Sequence, residues 1–196
     1  MEPTKTKEIG CYRIKIGRED SPDNPRNWDN LGTMVCFHGR YNLGDKHDYR
    51  SKDYSGWGEM KEAIMNIEDV SIILPLYLYD HSGITISTTP FSCPWDSGQI
   101  GFIYVSKKKV REEYGVKRIT EKVRETALNV LKGEVETYDK YITGEVHRFE
   151  ICEVKKCDEG HEHETFIDSC GGFYDEDECL SEAESVVNDL ISQNKE

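Results

Sequence analysis

The sequence predicts an α+β fold with a mainly antiparallel sheet, three to four helices, and an acidic C-terminal hairpin and helix. Three observations predict it. Runs that alternate apolar and polar residues stand next to one another, with no helical pattern between them. Helical patterns do not alternate strictly with these runs, which argues against a doubly wound parallel sheet. A length of 196 residues suits a single domain, 1–196, with 145–196 as a candidate acidic subregion.

The elements follow in chain order. "CYRIKI", Cys11 to Ile16, alternates as a strand. "REDSPDNPRNWDN" is rich in turn residues and reads as an ordered loop, with Trp28 expected to anchor it in the core. "LGTMVCFHGRYNLG" gives a strand around Thr33 to His38 and then a turn, and "KHDYRSKDYSGWG" is polar and irregular. Trp57, Met60, Ile64 and Ile67 recur at three- and four-residue steps and put one apolar stripe on a helix. "VSIILPLYLYDH" reads as a central strand, in which Pro75 calls for a bulge or an edge position.

"GITIST" and "QIGFIYVSK" add two strands joined by "TPFSCPWDSG", and "KKKVREEYG" is a short helix closed by Gly115. A long helix follows, with Ile119, Val123, Ala127, Val130, Leu131, Val135, Tyr138 and Ile142 as its stripe. Thr120 caps it and Gly144 ends it. "EVHRFEICEV" and "HETFIDSCGGFY" form a hairpin across "KKCDEGHE". "DEDECLSEAESVVNDLISQ" is a terminal amphipathic helix whose first-turn acids suit the helix dipole. The expected order is β-β-α-β-β-β-α-α-β-β-α.

Charge is unevenly spread. The net charge is −13. Residues Glu150 to Glu196 hold 15 acidic and three basic residues, a net of −12, which leaves −1 for Met1 to Phe149. Such a field repels nucleic acid and membrane phosphates and attracts basic surfaces. No apolar run approaches the roughly 20 residues that span a bilayer, and the start lacks the apolar core of a secretory signal. Seven irregularly spaced cysteines then read as reduced thiols in a cytosol.

Three constellations bear on chemistry. Asp80 and His81 end a strand, and Cys93, Asp96, Ser97 and Gln99 follow within 20 residues. A nucleophilic reading takes Cys93 as thiolate, His81 as base and Asp80 or Asp96 as orienter. Adjacent strand residues point to opposite faces, so Asp80 does not readily orient His81. The plainer reading makes "CPWDSGQIG" a rigid turn, with Asp80, Ser82 and Asp96 satisfying backbone N–H groups and Trp95 packed below. Cys152, Cys157, His161, His163, Cys170 and Cys179 are zinc-type ligands, but no C-x2-C knuckle is present, so a zinc staple is the lesser alternative. No Gly-rich phosphate loop is present and no cofactor is implied.

The acidic quarter is the third constellation. Glu159, Glu162, Glu164, Asp175, Glu176, Asp177 and Glu178 crowd a hairpin tip and a helix start. Carboxylates held this way can copy the charge of nucleic-acid phosphates and compete for a basic groove. The basic run Lys107 to Arg111 lies at a helix start, where positive charge is unfavourable, and reads as a solvated edge.

"NPRNWDNLGTMVCFHGRYNLGDKH", "LPLYLYDHSGITISTTPFSCPWDSGQIGFIYVSKKKVREEYG" and "GEVETYDKYITGEV" together resemble a family of small uncharacterised proteins of bacteriophages and prophages. The resemblance covers most of Ile9 to Val146 and leaves out the acidic tail. It implies a setting, the cytoplasm of a bacterial host, and no activity, cofactor or catalytic residue. The expected function is an acidic anti-defence inhibitor, nucleic-acid mimic-like and non-enzymatic. Its partner would be a host defence protein with a basic nucleic-acid-binding surface, such as a nuclease or CRISPR effector. It would bind neither nucleic acid nor membrane. The alternatives are a small hydrolase or transferase using Cys93, His81 and Asp96, or a zinc-stapled interaction module.

Overall fold

The computed structural model describes residues 2–193. Its elements are β1 (Pro3–Ile9), β2 (Tyr12–Arg18), β3 (Thr33–Cys36), α1 (Trp57–Ile67), β4 (Val70–Asp80), β5 (Ile84–Ser87), β6 (Ser97–Ser106), α2 (Lys107–Glu113), α3 (Glu121–Ile142), β7 (His147–Lys156), β8 (Glu162–Phe173) and α4 (Glu176–Gln193). Among the described residues the architecture is α+β, with two four-stranded antiparallel sheets and four α-helices. One element differs from the expected order. "PTKTKEI" forms β1, an edge strand that alternates Thr with Lys and so lacks an apolar period.

The chain divides into two compact units. A central unit comprises Asn24–Thr143, and a terminal unit joins Met1–Asp23 to Gly144–Glu196.

In the central unit the strand order is β3-β6-β4-β5. Met34, Leu76, Leu78, Ile103 and Val105 pack under Ala127, Leu131, Val135 and Tyr138 of α3. Val35, Phe102 and Tyr104 pack under Met60 and Ile64 of α1. Because both faces of β6 are covered, its sequence is a continuous apolar run instead of an alternating one. Gly101 lets β3 dock on β6: a Cβ there would lie 1.8 Å from the Val35 carbonyl oxygen. Pro75 pairs with Phe102 on the β6 side, while β5 reaches only Tyr77 to Asp80, and the register shifts between Leu76 and Tyr77. The proline thus sits beside a bulge and at a local edge, where a missing N–H is tolerated.

The loop before β3 is anchored by Arg26, not by Trp28. Trp28 is 49% exposed, whereas the Arg26 side chain is 3% exposed. Its Nε and Nη2 donate to the two oxygens of Asp45 at 2.9 and 2.7 Å, Nη1 donates to Glu134 at 3.1 Å, and Nη2 also donates to the Gly32 carbonyl at 2.7 Å. Glu134 in turn accepts from the backbone N–H of Leu31 at 2.6 Å, and Asp45 accepts from that of Met34 at 2.7 Å. One guanidinium therefore ties two loops to α3. Thr120 caps α3 by accepting from the Val123 N–H, and Gly144, at φ +74°, follows its C-cap Thr143.

In the terminal unit the strand order is β1-β2-β7-β8. Tyr12, Ile14, Ile16, Phe149 and Ile151 line one face and meet Cys179, Ala183 and Val187 of α4. Asp175 begins α4 by accepting from the N–H groups of Asp177 and Glu178 at 2.9 and 3.0 Å.

Candidate functional site

One end of the central sheet collects polar and aromatic side chains. Three connections meet there: the turn after β4, the loop before β6 and the loop after β3. The turn is closed by the His81 N–H donating to the Gly83 carbonyl at 3.0 Å, with Ser82 at φ +60°. The second loop is tied to β4 by the Asp80 N–H, which donates to the Asp96 carbonyl at 2.8 Å. It is closed on itself by the Ser97 hydroxyl, which donates to the Cys93 carbonyl. The third starts where the Phe37 N–H donates to the Ile100 carbonyl at 2.8 Å.

Cys93, His81 and Asp96 do come together. The Cys93 thiol lies 3.7 Å from Asp96 Oδ2, and His81 Nδ1 lies 3.3 Å from the same oxygen. Asp96 is the shared partner, so the thiol's hydrogen bond goes to a carboxylate, not to the imidazole. A thiolate nucleophile needs a base or a cation beside the sulfur, and here the sulfur's hydrogen-bond partner is a carboxylate. The cluster is thus a hydrogen-bonded brace in which His81 and Cys93 both hold Asp96.

Asp80 takes part through a different neighbour. Its carboxylate pairs with Arg40 and lies 3.6 Å from His38 Nε2. His38 Nδ1 accepts from the backbone N–H groups of Arg40 and Tyr41 at 3.3 and 3.2 Å. A nitrogen that accepts carries no proton, so in neutral His38 the proton sits on Nε2 and faces Asp80. Tyr41 stacks on His38 at 5.1 Å between centroids, and Arg40 lies over the Tyr41 ring at 5.5 Å. The two aspartates thus hold side chains, instead of capping backbone N–H groups in their turns. Trp95 does not pack below the turn; it is 91% exposed. His38, Arg40 and Tyr41 were not among the expected site residues. Their signal was "FHGRYN", a polar and aromatic run just past a strand end.

The acidic residues divide by environment. The terminal unit holds 21 acidic and nine basic residues, a net of −12, against 17 and 16 in the central unit, a net of −1. On the sheet face opposite α4, Arg13 pairs with Glu8, Glu162 and Glu164 at 2.5, 2.8 and 2.6 Å, and Lys15 pairs with Glu164. Lys156 also reaches Glu162 at 3.3 Å. These cations hold both glutamates below the usual carboxylate range, Glu162 chiefly through Arg13 and Glu164 chiefly through Lys15. Lys5 lies 3.4 Å from Glu176 and 3.6 Å from Asp177, and Lys7 pairs with Glu184 at 2.6 Å. Glu159 lies 3.8 Å from His161.

Of the seven carboxylates expected to meet a partner, four are therefore paired with Lys or Arg of their own unit, Glu159 lies beside His161, and Asp175 serves as a helix cap. Glu178 remains exposed on α4, together with Glu182 and Asp189. These three form no ion pair among the described residues. They stand at i, i+4 and i+11, on one stripe of the helix.

The zinc-type residues stay apart. Cys152 lies on the sheet face opposite α4, 3.4 Å from Glu150, and Cys179 is a buried residue of α4 itself, where burial pushes its thiol up to about 12. Cys157 and His161 share a turn through a backbone hydrogen bond of 2.9 Å, and His163 stands opposite Lys155 on β8. Among the described residues no three His, Cys, Asp or Glu side chains converge to hold a metal ion. The basic run after β6 is used locally: Lys107 pairs with Asp69 at 2.6 Å, Lys108 lies 3.8 Å from Glu112, and Lys109 donates to the Asn30 carbonyl.

No protein-family model matches the chain, and no curated protein or solved structure matches it either.

Proposed function

We propose that this chain is a non-enzymatic phage accessory protein working in the cytoplasm of a bacterial host. It inhibits a host defence protein by docking its acidic unit on a basic, nucleic-acid-binding surface. One observation carries the reading: the terminal unit has a net charge of −12, and seven of its nine basic residues are already paired within it and so face its own carboxylates. An excess of this sign speeds encounter with a basic surface.

The contact residues shift from those the sequence singled out. Glu162 and Glu164 are committed to Arg13 and Lys15, and freeing them would cost those pairs. The outer stripe of α4, with Glu178, Glu182 and Asp189, offers carboxylates that need not break a bond first. Their rise along the helix is about 6 Å and then about 10 Å.

The test is to isolate the partner from infected cells and measure its Kd for the wild type and for Glu178→Lys, Glu182→Lys, Asp189→Lys combined. The triple reversal is expected to weaken binding at least about 100-fold at low salt, and wild-type affinity is expected to fall steeply with salt. An affinity indifferent to both would remove the proposal.

A further inference from the structure

A cavity of about 460 Å³ lies at the C-terminal end of α1, wholly within the central unit. Its size falls in the range of small-molecule sites. Its place follows from the chain. Thr33 of β3 and Tyr104 of β6 are register partners and share one sheet face, the face on which Phe102 packs against α1. Helix α1 stops at Ile67, and Glu68 follows as its C-cap. Both line the cavity, and residues 46–50, 53 and 54 of the loop before α1 supply the opposite wall.

The better covered part of the lining is rich in acceptors. The Tyr49 hydroxyl donates to Glu68 Oε1 at 3.0 Å. The buried Tyr104 phenol lies beside Thr33, Tyr49 and Glu68, and Tyr54 lies close to Tyr49. Burial first, and Glu68 second, push the Tyr49 and Tyr104 phenols above their usual range, so both stay neutral. His47 Nε2 lies 3.1 Å from the Cys36 carbonyl, which only accepts, so in the neutral ring the proton sits on Nε2, and Nδ1 is buried without a partner. Among the described residues only Oε1 of Glu68 accepts a hydrogen bond, which leaves Oε2 and the phenol lone pairs for a donor from outside. Two further observations set the sign of that donor. The C-terminus of α1, the negative end of its dipole, lies at the cavity and has no basic residue in its last turn. The exposed rim carries Lys46, Asp48, Arg50 and Asp53, two of each sign, so the rim charges balance and the Glu68 carboxylate decides. A primary ammonium, with three N–H donors and no acceptor, matches this lining.

We propose that the cavity binds a small monoamine, with its ammonium held by Glu68, Tyr49 and Tyr104 and its apolar or aromatic body against Tyr54 and Ile67. No residue of the terminal unit lines the cavity, so the site does not depend on the acidic docking described above.

The experiment uses the full chain with carbon-13 in its tyrosine rings. The Tyr49 and Tyr54 resonances are assigned by their loss in Tyr49→Phe and Tyr54→Phe. Near neutral pH and at constant salt, the wild type is titrated with 2-phenylethylamine, with uncharged 2-phenylethanol and with anionic 3-phenylpropionate. The expected result is a saturable shift of both resonances by the amine, with a Kd of about 1 mM or tighter. The alcohol should bind at least about 10-fold more weakly, and the anion should give no saturable shift. Glu68→Gln keeps an acceptor for Tyr49 and should keep the wild-type melting curve, yet weaken the amine at least about 10-fold. No saturable shift with the amine, alcohol binding within about threefold of it, or a Glu68→Gln effect within about threefold each overturns the proposal. The three ligands on the wild type decide the charge requirement even where Glu68→Gln does not fold. The same shifts produced by potassium chloride in place of the amine also overturn it, and mark a site for an inorganic cation.

Discussion

The thiol of Cys93 points at the carboxylate of Asp96, 3.7 Å away, and not at an imidazole. The hydrogen-bond partner of the sulfur is thus a carboxylate and not an imidazole base. Iodoacetamide near neutral pH should therefore label Cys93 no faster than an ordinary thiol. Exposed Cys11 and Cys170 should react first, and buried Cys36 and Cys179, whose thiols burial pushes up to about 12, only on unfolding. Mass spectrometry of a time course reads the order. Rapid, selective labelling of Cys93 would revive the hydrolase or transferase alternative.

Arg26 should be the most sensitive charged residue of the central unit. Replacing it with Ala leaves Asp45 and Glu134 partly buried without their cation, and removing one partner of a buried pair costs about 3–5 kcal/mol. Arg26→Lys should recover little, because an ammonium cannot reproduce the fork that spans both oxygens of Asp45. Urea denaturation of the two variants measures the loss; a midpoint near wild type in Arg26→Ala would contradict the anchoring role.

Gly101→Ala should fail by steric overlap. The added methyl would meet the Val35 carbonyl, which is backbone and cannot swing aside. A destabilisation of about 3 kcal/mol or more is expected, the upper end of overpacking effects. Amide exchange should show β3 losing protection before α3. If β3 stays protected, the close approach is not what sets the docking of these strands.

The glutamate and cation lattice of the terminal unit fixes a pH response. Glu162 and Glu164 titrate below their ordinary range in the folded chain, so the unfolded chain takes up protons first. Their contribution is complete above the unfolded value of about 4.3 and is lost as pH falls through the lower folded values. The terminal unit should therefore loosen as pH falls below that unfolded value. Glu164→Gln should flatten the dependence below pH 5, with only a small effect at neutrality. Far-ultraviolet dichroism against pH tests this, and an unchanged acid limb in Glu164→Gln would argue against it.

The sequence exposed some of this and hid the rest for definable reasons. Helix α3 was legible because its apolar stripe, the Thr120 cap and the Gly144 stop agree with one another. β1 was not, because a largely exposed edge strand of Thr and Lys carries no apolar period. Cys93, His81 and Asp96 could be grouped because they flank neighbouring strand ends. Asp96 as their common partner, and Arg40 and His38 as partners of Asp80, depend on how loops distant in sequence meet. The charge count found the acidic unit, but segment sums cannot tell which cations return to it. Lys7 and Glu184 stand 177 positions apart and are 2.6 Å apart in space.

The pairing of β2 with β7 has a further consequence during synthesis. Residue Tyr12 leaves the ribosome long before its neighbour Glu153, and the central unit is translated in the interval. That unit holds all its own strands and helices and can begin folding while the early hairpin waits. The sheet of the terminal unit can close only after β7 emerges, so this is the late and most non-local step of folding.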